Sequence, residues 1–406
     1  MFTRQFFDLL LDLNENWKVS SVDADYKKEE VYIAIEYIGK KAEHPDSMDM
    51  LSIYDHAPER KWRHLDIMQY KTYISCRLPR VKGQDGKVKT IRPPWASKHE
   101  RHTFLFERLA INILLATKNQ TKTAELLRCG FNVVNRIMHL STQRGLSRRD
   151  YDSHNFDHLS IDEKSFKKGH KYVSVLSSPK AGCVIDIVEG RTKESVKKLF
   201  DNTLNKRQQD SVQTMSMDMW KAYISVTKEQ MPNAEIVHDR FHLIKYLNEA
   251  IDKVRRREVK NQDELRDSRY ALLKNKANLT EKQRLKFEAI TNANYEVSKA
   301  WQVRENFKDI FNTETNNVLF LFTNWANNAI NKQIKEVSKI VEMFTDHLKG
   351  VVNALAYSFN NAMAERLNGK IQEIKTSGRG YRSFQNFRSA ILFFHGGLNL
   401  YPLKSQ

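Results

Sequence analysis

The spacing of apolar positions changes character several times along the chain. Residues 6–13 are apolar but broken by Asp8 and Asp12, which suits a short amphipathic helix and no cleaved leader. Residues 31–38 and 73–78 alternate as half-buried strands do, the second run leading to the turn Gly83-Gln84-Asp85-Gly86. Most of the prolines fall in this first part, so a small β-rich module is expected rather than long helices. From residue 101 to 140 the period becomes helical, with Leu105, Leu109, Ile113 and Ala116 on one face. A second helix is expected over 121–128. A third starts at Asn132, a suitable N-cap, with Val133, Ile137 and Leu140 inward and Asn132, Asn135, Arg136 and His139 outward. That layout fits a helix-turn-helix whose last helix offers polar groups to base edges, or a plain three-helix bundle.

Strand and helix signals then alternate. Residues 159–161, 172–176 and 183–188 read as strands joined by the Lys167-Lys168-Gly169 and Ser177-Ser178-Pro179 turns. A helix over 193–204, a strand over 214–217, a helix over 221–230 and a strand over 235–238 follow. Three strands, then helix, strand, helix, strand is the order of an RNase-H-like α/β core, in which the first and fourth strands are neighbours. From 233 to 349 there is no glycine or proline across 117 residues, which predicts an all-helical insertion. Leu243, Leu247, Ile251 and Val254 form its first apolar stripe. Arg255, Arg256, Arg257 and Lys260 form a basic cluster beside it, open to either a solvated-surface or a DNA-contact reading.

Charge narrows the class of partner. Lys and Arg number 67 against 49 Asp and Glu, a formal net charge of +18, and a basic excess of that size draws a polyanion. Nucleic acid is the expected partner. Cys76, Cys129 and Cys183 are too scattered for a disulfide framework or a paired-cysteine metal site, which fits a reducing cytoplasm. No run of eighteen apolar residues exists, so no membrane span is expected.

Three acids carry the candidate chemistry. Asp162 and Asp218 each end a strand-like run, while Glu365 lies in a helical stretch. Around one cleft, three carboxylates can hold two hard divalent cations, Mg2+ or Mn2+, for in-line phosphoryl displacement. Glu163 competes with Asp162 because alternation sends their side chains to opposite faces; Asp201, Asp210 and Asp239 compete with Asp218. Asn361, Glu365, Asn368, Gln372 and Lys375 recur as one polar helical stripe, and Met363, Leu367, Ile371 and Ile374 as an apolar one. Asp239 and His242, in the sequence DRFH, suit a pair behind the metal ligands or touching DNA, and His242 equally a core histidine. Trp220 suits stacking on an unpaired base or burial in the core. Arg379 and Arg382 lie in a basic loop, Gly378 to Arg382, suited to phosphate contact. No Walker loop, nucleophile elbow or paired-histidine zinc signature competes with the acids.

With these residues in view, the chain resembles bacterial insertion-sequence transposases of the DDE type, of the IS-L-three family. The likeness spans most of the chain and is most specific in YDHAPERKWRHLD (54–66), SIDEKSFKKGHKY (160–172), HDRFHLIK (238–245) and NNAMAERLNGKIQEIK (360–375). It implies the catalytic triad Asp162, Asp218 and Glu365, and a transposase that binds element ends, cuts there and joins the freed 3′ oxygen to target DNA. The implied organisation is an arm (1–40), a degenerate zinc-finger-like module (41–95), a helix-turn-helix (96–150), an RNase-H-like core in two parts (151–250 and 346–406) and a helical insertion (251–345). The family's N-terminal module carries paired cysteine-type zinc ligands. Here the corresponding positions read His44-Pro45-Asp46-Ser47 and Gly83-Gln84-Asp85-Gly86, so no zinc is expected. The partners expected are double-stranded DNA, as terminal inverted repeats and target, and further copies of the chain assembled on it, at the nucleoid of a bacterial cytoplasm. A DNA-binding regulator descended from a transposase, and a metal-dependent nuclease without strand transfer, are the alternatives.

Overall fold

A computed structural model describes residues 2–149, 155–167, 171–274, 278–313, 317–356, 362–378 and 381–402, with the side chains of 2–3 and 362–365 left out. The fold is a mixed α/β multidomain one with a β-rich N-terminal region and a helical C-terminal region. It divides into two compact units, one of residues 1–149 with 398–406 and one of residues 150–397.

The first unit opens with α1 (Phe2–Leu10) and continues as β1 (Trp17–Asp25), β2 (Glu30–Tyr37), β3 (Lys41–Glu43), β4 (Met50–His56), β5 (Arg60–Arg63), β6 (Lys71–Cys76), β7 (Pro79–Lys82) and β8 (Val88–Thr90). These strands form two four-stranded sheets, ordered β1-β2-β6-β5 and β3-β4-β7-β8. Trp17, Val19, Ile33, Trp62, Ile74, Leu78 and Val81 fill the core they share. The strand expected over 31–38 is β2, and residues 17–25, within the expected arm, form the integral strand β1 beside it. Their alternation is diluted by the serines and aspartates of β1, while its inward positions Trp17 and Val19 are buried.

Three helices follow, α2 (Phe104–Thr117), α3 (Gln120–Leu126) and α4 (Phe131–Ser147). Thr103 and Asn119 cap the first two through their side-chain oxygens. The expected inward stripe of α2 is out of phase: Leu105, Leu109 and Ala116 are exposed, and Phe106, Ala110, Ile111 and Leu114 are buried. Helix α4 begins one residue earlier than expected, capped by Gly130 rather than Asn132, and buries Val134, Ile137 and Met138 in place of a Val133 stripe. The chain's last described residues return to this unit. Arg144 and Arg148 donate to the carbonyls of Leu400 and Tyr401 at 2.7 and 2.5 Å. Residues 398–402 thus leave the second core segment to which the sequence assigned them.

The second unit begins with β9 (His158–Lys167), β10 (Lys171–Ser178) and β11 (Cys183–Glu189). Then come α5 (Lys193–Thr203), α6 (Lys206–Ser211), β12 (Thr214–Met217), α7 (Lys221–Gln230) and β13 (Glu235–His238). The sheet order is β11-β10-β9-β12-β13, antiparallel across the first three strands and parallel across the last three. The first and fourth strands of this unit are neighbours, as the order of elements predicts. Of the expected Lys167-Lys168-Gly169 turn, Lys167 ends β9, and Lys168 and Gly169 lie outside the described residues. Helices α5 and α7 cover one face through Val196, Leu199, Phe200, Tyr223 and Val226.

The stretch without glycine or proline folds as α8 (Arg240–Glu258), α9 (Arg269–Leu273), α10 (Glu281–Asn292), α11 (Glu296–Ile310), α12 (Val318–Ile330) and α13 (Lys335–Asp346), then runs into α14 (Leu348–Ala356). Its core joins Leu243, Leu247, Ile251 and Val254 to Phe307, Trp325 and Phe344, and also takes in Met219 and Val237 from the sheet. Gly350, which ends the glycine-free stretch, is needed for close approach. A Cβ there would stand 2.5 Å from the His238 ring of β13. Helices α15 (Ala362–Ser377) and α16 (Phe384–His395) close the unit, and Arg388 of α16 donates two hydrogen bonds of 2.7 Å to Asp186 of β11.

Burial of His64 gives the first unit a pH dependence. The ring is 7% exposed, hydrogen-bonded through Nδ1 to Thr103 at 2.9 Å, and desolvation pushes its pKa down to about 4. An unfolded chain takes up a proton there near pH 6.5 that the folded one refuses until about 4. Stability from this group is therefore complete above about pH 6.5 and falls by about 3 kcal/mol as pH drops to about 4. Urea midpoints of this unit's unfolding across that window check the slope, which His64→Gln is expected to flatten.

Candidate active site

Strand register brings Asp162 and Asp218 together. In the parallel pair β9 and β12, Ser160 stands opposite Ser216. Two residues further on, Asp162 within β9 and Asp218 just past the end of β12 stand at the same level and, by the strand period of two, on the same face. Each carboxylate accepts the next residue's backbone N–H, from Glu163 at 2.7 Å and from Met219 at 2.6 Å.

Helix α8 supplies what lies between them. Asp239 caps that helix, its carboxylate accepting the Phe241 N–H at 2.8 Å, which sets His242 in the first turn. The His242 ring sits between the two acids, Nε2 3.6 Å from Asp162 and Nδ1 3.4 Å from Asp218. One turn later, the Tyr246 hydroxyl donates to Asp218 at 2.8 Å. Asp162 also receives the Lys164 ammonium at 2.8 Å and the Asn368 side-chain N–H at 2.8 Å. The Asn368 bond ties α15 to β9, and Lys375 adds a second tie by donating to the Ser165 carbonyl at 2.6 Å.

These contacts fix the charge state of the site. Burial opposes ionisation of Asp162, but the His242 and Lys164 cations outweigh it and hold the carboxyl down at about 2. For His242 burial disfavours the cation, and Asp162, Asp218 and Asp239 overcome it, raising the pKa above 6.5. Tyr246 is pushed upward by burial and by the Asp218 carboxylate, so its hydroxyl stays a donor.

The other candidates fall as follows. Glu163 points away from the pair and binds Arg191, while Asp239 serves as the helix cap just described. Trp220 is not core: it is 40% exposed. The exposed Arg382 accepts Lys167 Nζ at its carbonyl, at 2.6 Å. In the first unit Asn132 is exposed and Asn135 and His139 are half-buried, whereas Arg136 makes a forked bond to the buried Glu100, its closest contact 2.7 Å. Glu365 belongs to α15, three residues before Asn368, with its side chain outside the described residues; Asn361 and Arg379 also lie outside them. Sequence reasoning missed Tyr246 and Lys164. Their signals were present, since Tyr246 is four residues from His242 on a helix and Lys164 two residues from Asp162 on a strand.

Among the described residues no group of three or more His, Cys, Asp or Glu side chains is spaced to hold a metal ion. The imidazole keeps the two carboxylates apart. The oxygen donors of two aspartates suit a hard divalent cation, and Asp162 and Asp218 are the described residues that would hold one. In the first unit, the turns at 44–49 and 83–87 face each other. A Cβ on Gly83 would lie 3.2 Å from His44 Nε2, a buried nitrogen without a hydrogen bond, and 2.9 Å from an Asp85 oxygen.

Residues 159–391 match the family model described as transposase, of the ISL3 group, and residues 50–85 match the zinc-finger of transposases IS204/IS1001/IS1096/IS1165. The chain is 26% identical over 342 residues to the transposase for insertion sequence element IS1001 of Bordetella parapertussis, covering 81% of this chain and 82% of that protein. It is 24% identical over 357 residues to the transposase for insertion sequence element IS1557 of Mycobacterium tuberculosis, covering 80% and 79%. The chain belongs to the ISL3 transposase family. The zinc-finger match overturns the expectation of a module without zinc: the matched family is a zinc-binding one, and the span runs from β4 through the turn that holds Asp85. His44 Nε2 and an Asp85 oxygen both lie close to Gly83, at the end of that span. No helix among the described residues is long and apolar enough to cross a membrane.

Removing the His242 cation leaves two carboxylates facing each other. Because its pKa is raised above 6.5, the stability it contributes is full below that value and is lost as pH rises through the folded pKa. In chelator, His242→Ala is expected to lower the melting temperature of the second unit more near pH 6 than near pH 9. An equal loss at both would assign the ring a packing role only.

Proposed function

We propose that this chain is the transposase of an insertion sequence, binding the element's ends and catalysing metal-dependent strand cleavage and strand transfer at Asp162, Asp218 and Glu365. The observation that carries this reading is the register of β9 and β12, which sets two aspartates side by side within the transposase-matched span. The β11-β10-β9-β12-β13 order with α5 and α7 on one face supports an RNase-H-like core, and the helices from α8 to α14 an insertion within it. Glu365 lies on α15 three residues before Asn368, whose side chain bonds Asp162, and it is the third ligand in this reading.

Divalent cations, Mg2+ or Mn2+, would supply the Lewis acidity that activates the attacking oxygen and stabilises the leaving 3′ oxygen. The residues do the rest. Asp162, ionised down to about pH 2, and Asp218 present carboxylate oxygens. Asn368 and Tyr246 orient those oxygens, and Glu365 orients the attacking water or 3′ hydroxyl. In the first unit α3 and α4 serve as a helix-turn-helix, with Asn132, Asn135 and His139 toward the major groove. Arg136 steadies α4 through Glu100. The formal charge of +18 favours double-stranded DNA, terminal repeats and target alike, and two ends cut together call for more than one copy of the chain. The site of action is the bacterial nucleoid.

The test is cleavage of a labelled duplex carrying the element's own terminal repeat, with magnesium and with chelator. Asp162→Asn is expected to bind as wild type and to cut about a thousandfold more slowly or worse, the loss of several kcal/mol of charge stabilisation. Undiminished cutting removes Asp162 from the mechanism. Cutting without joined products identifies a nuclease, and specific binding without cutting a regulator.

A further inference from the structure

Two residues beyond Asp218 the chain holds an aromatic side chain out of its core. Trp220 precedes α7 and is 40% exposed, yet it is not loose. Its indole Nε1 donates to the Arg191 carbonyl at 2.9 Å. The Arg191 guanidinium carbon lies 4.3 Å from the Trp220 ring centre and 4.4 Å from that of Tyr172, so one cation backs two rings. Glu163, next to Asp162 on β9, holds that guanidinium by a salt bridge. Through Glu163 and Tyr172 the assembly is anchored on β9 and β10, one residue along β9 from Asp162.

This construction has properties that separate it from a groove reader or a phosphate clamp. The only polar atom of Trp220 is spent on Arg191, so the side chain has no donor left for a base edge. Arg191 is paired with Glu163, so its charge is largely answered within the protein. What remains is a fixed apolar ring with the cation behind one face and solvent at the other. Being fixed, it loses little rotamer freedom when something packs on it. Its Cα is within about 7 Å of that of Asp218, two residues of chain, which is the reach of a nucleotide neighbouring a phosphate held at the acids. A base inside a duplex cannot offer its face to such a ring, whereas an unpaired base can.

We propose that Trp220, backed by Arg191 and Tyr172, is a stacking platform for an unpaired nucleobase beside the phosphate on which the carboxylates act. It rests on the reading of Asp162 and Asp218 as the site of phosphoryl transfer. Every base has a π face, so the platform is sequence-tolerant; it selects a strand that is open next to the cut. Stacking makes and breaks no covalent bond.

The experiment is a titration in chelator, which needs no chemistry, of the full chain against a duplex with a short single-stranded tail carrying 2-aminopurine, and against the same duplex with a blunt end. Wild type is expected to quench the probe and to prefer the tailed duplex by about tenfold, within the range found for one base on one aromatic ring. Trp220→Leu should lose both the quench and the preference while binding blunt duplex as before. Trp220→Phe should retain most of each, and Arg191→Met, which removes the cation behind the ring, should weaken both. Quenching and preference unchanged in Trp220→Leu overturn the proposal. Its failure is distinguishable from failure of the transposase reading: magnesium-dependent cutting with no quench sinks the platform alone, and a Trp220-dependent quench with no cutting sinks the enzyme alone.

Discussion

Two carboxylates on neighbouring strands of one sheet, at one level and on one face, repel each other unless something positive or hydrogen-bonding stands by them. Most of the second unit is arranged to meet that constraint. His242 comes between them from α8, Tyr246 follows one turn later, Lys164 reaches Asp162 from its own strand, and Asn368 arrives from α15. Two of these four partners sit on α8, the helix that follows β13, and one on α15. Met219 and Val237 lie in the core of the helices from α8 to α14, and α14 packs so near β13 that only glycine fits at residue 350.

Much of this was legible in the sequence, for identifiable reasons. β12, α7 and β13 fall where their patterns predicted because each is short, singly phased and bounded by polar or turn residues. The glycine- and proline-free stretch declared itself by composition. Helix α2 misled because FLFERLAINILLAT is apolar nearly all round, so several phases fit equally well. What settles its phase is a polar residue: Glu107, 1% exposed, faces inward to meet Arg144 of α4 at 2.5 Å. A pattern search that scores only apolar residues cannot find an inward face marked by a carboxylate. The site was legible as acids and one histidine. Tyr246 and Lys164 went unread because neither is a residue type that metal chemistry calls for.

The net charge also reads differently once its partners are known. Arg255 and Arg256, two of the residues whose cluster read equally as solvated surface or DNA contact, both bind Asp252, which is 7% exposed. Arg257 bridges Glu296 of α11 and Glu336 of α13. The Arg255 and Arg256 pairs lie within α8, while the Arg257 pairs tie that helix to α11 and α13. Exposed pairs add little stability each, so their effect is mainly to fix which helix packs where. Arg136 follows the same logic through Glu100 in the first unit. The formal excess of +18 is a property of the whole chain, and a run of arginines in the sequence is a poor guide to where that excess faces solvent.

The three residues that follow β12 turn to three different surroundings. Asp218 turns its carboxylate to His242 and Tyr246, Met219 enters the hydrophobic core shared with the insertion, and Trp220 stands outward against Arg191. Met219 is 9% exposed and donates its N–H to Asp218, so burying one side chain fixes the direction of the two beside it. A shift of this segment by one residue would put the carboxylate in the core and the thioether in the cleft, at the cost of an unpaired buried charge. The parallel register of β9 and β12 forbids that shift. The position of the acid and the exposure of the tryptophan are therefore one structural fact, set by strand pairing and by the side chain between them.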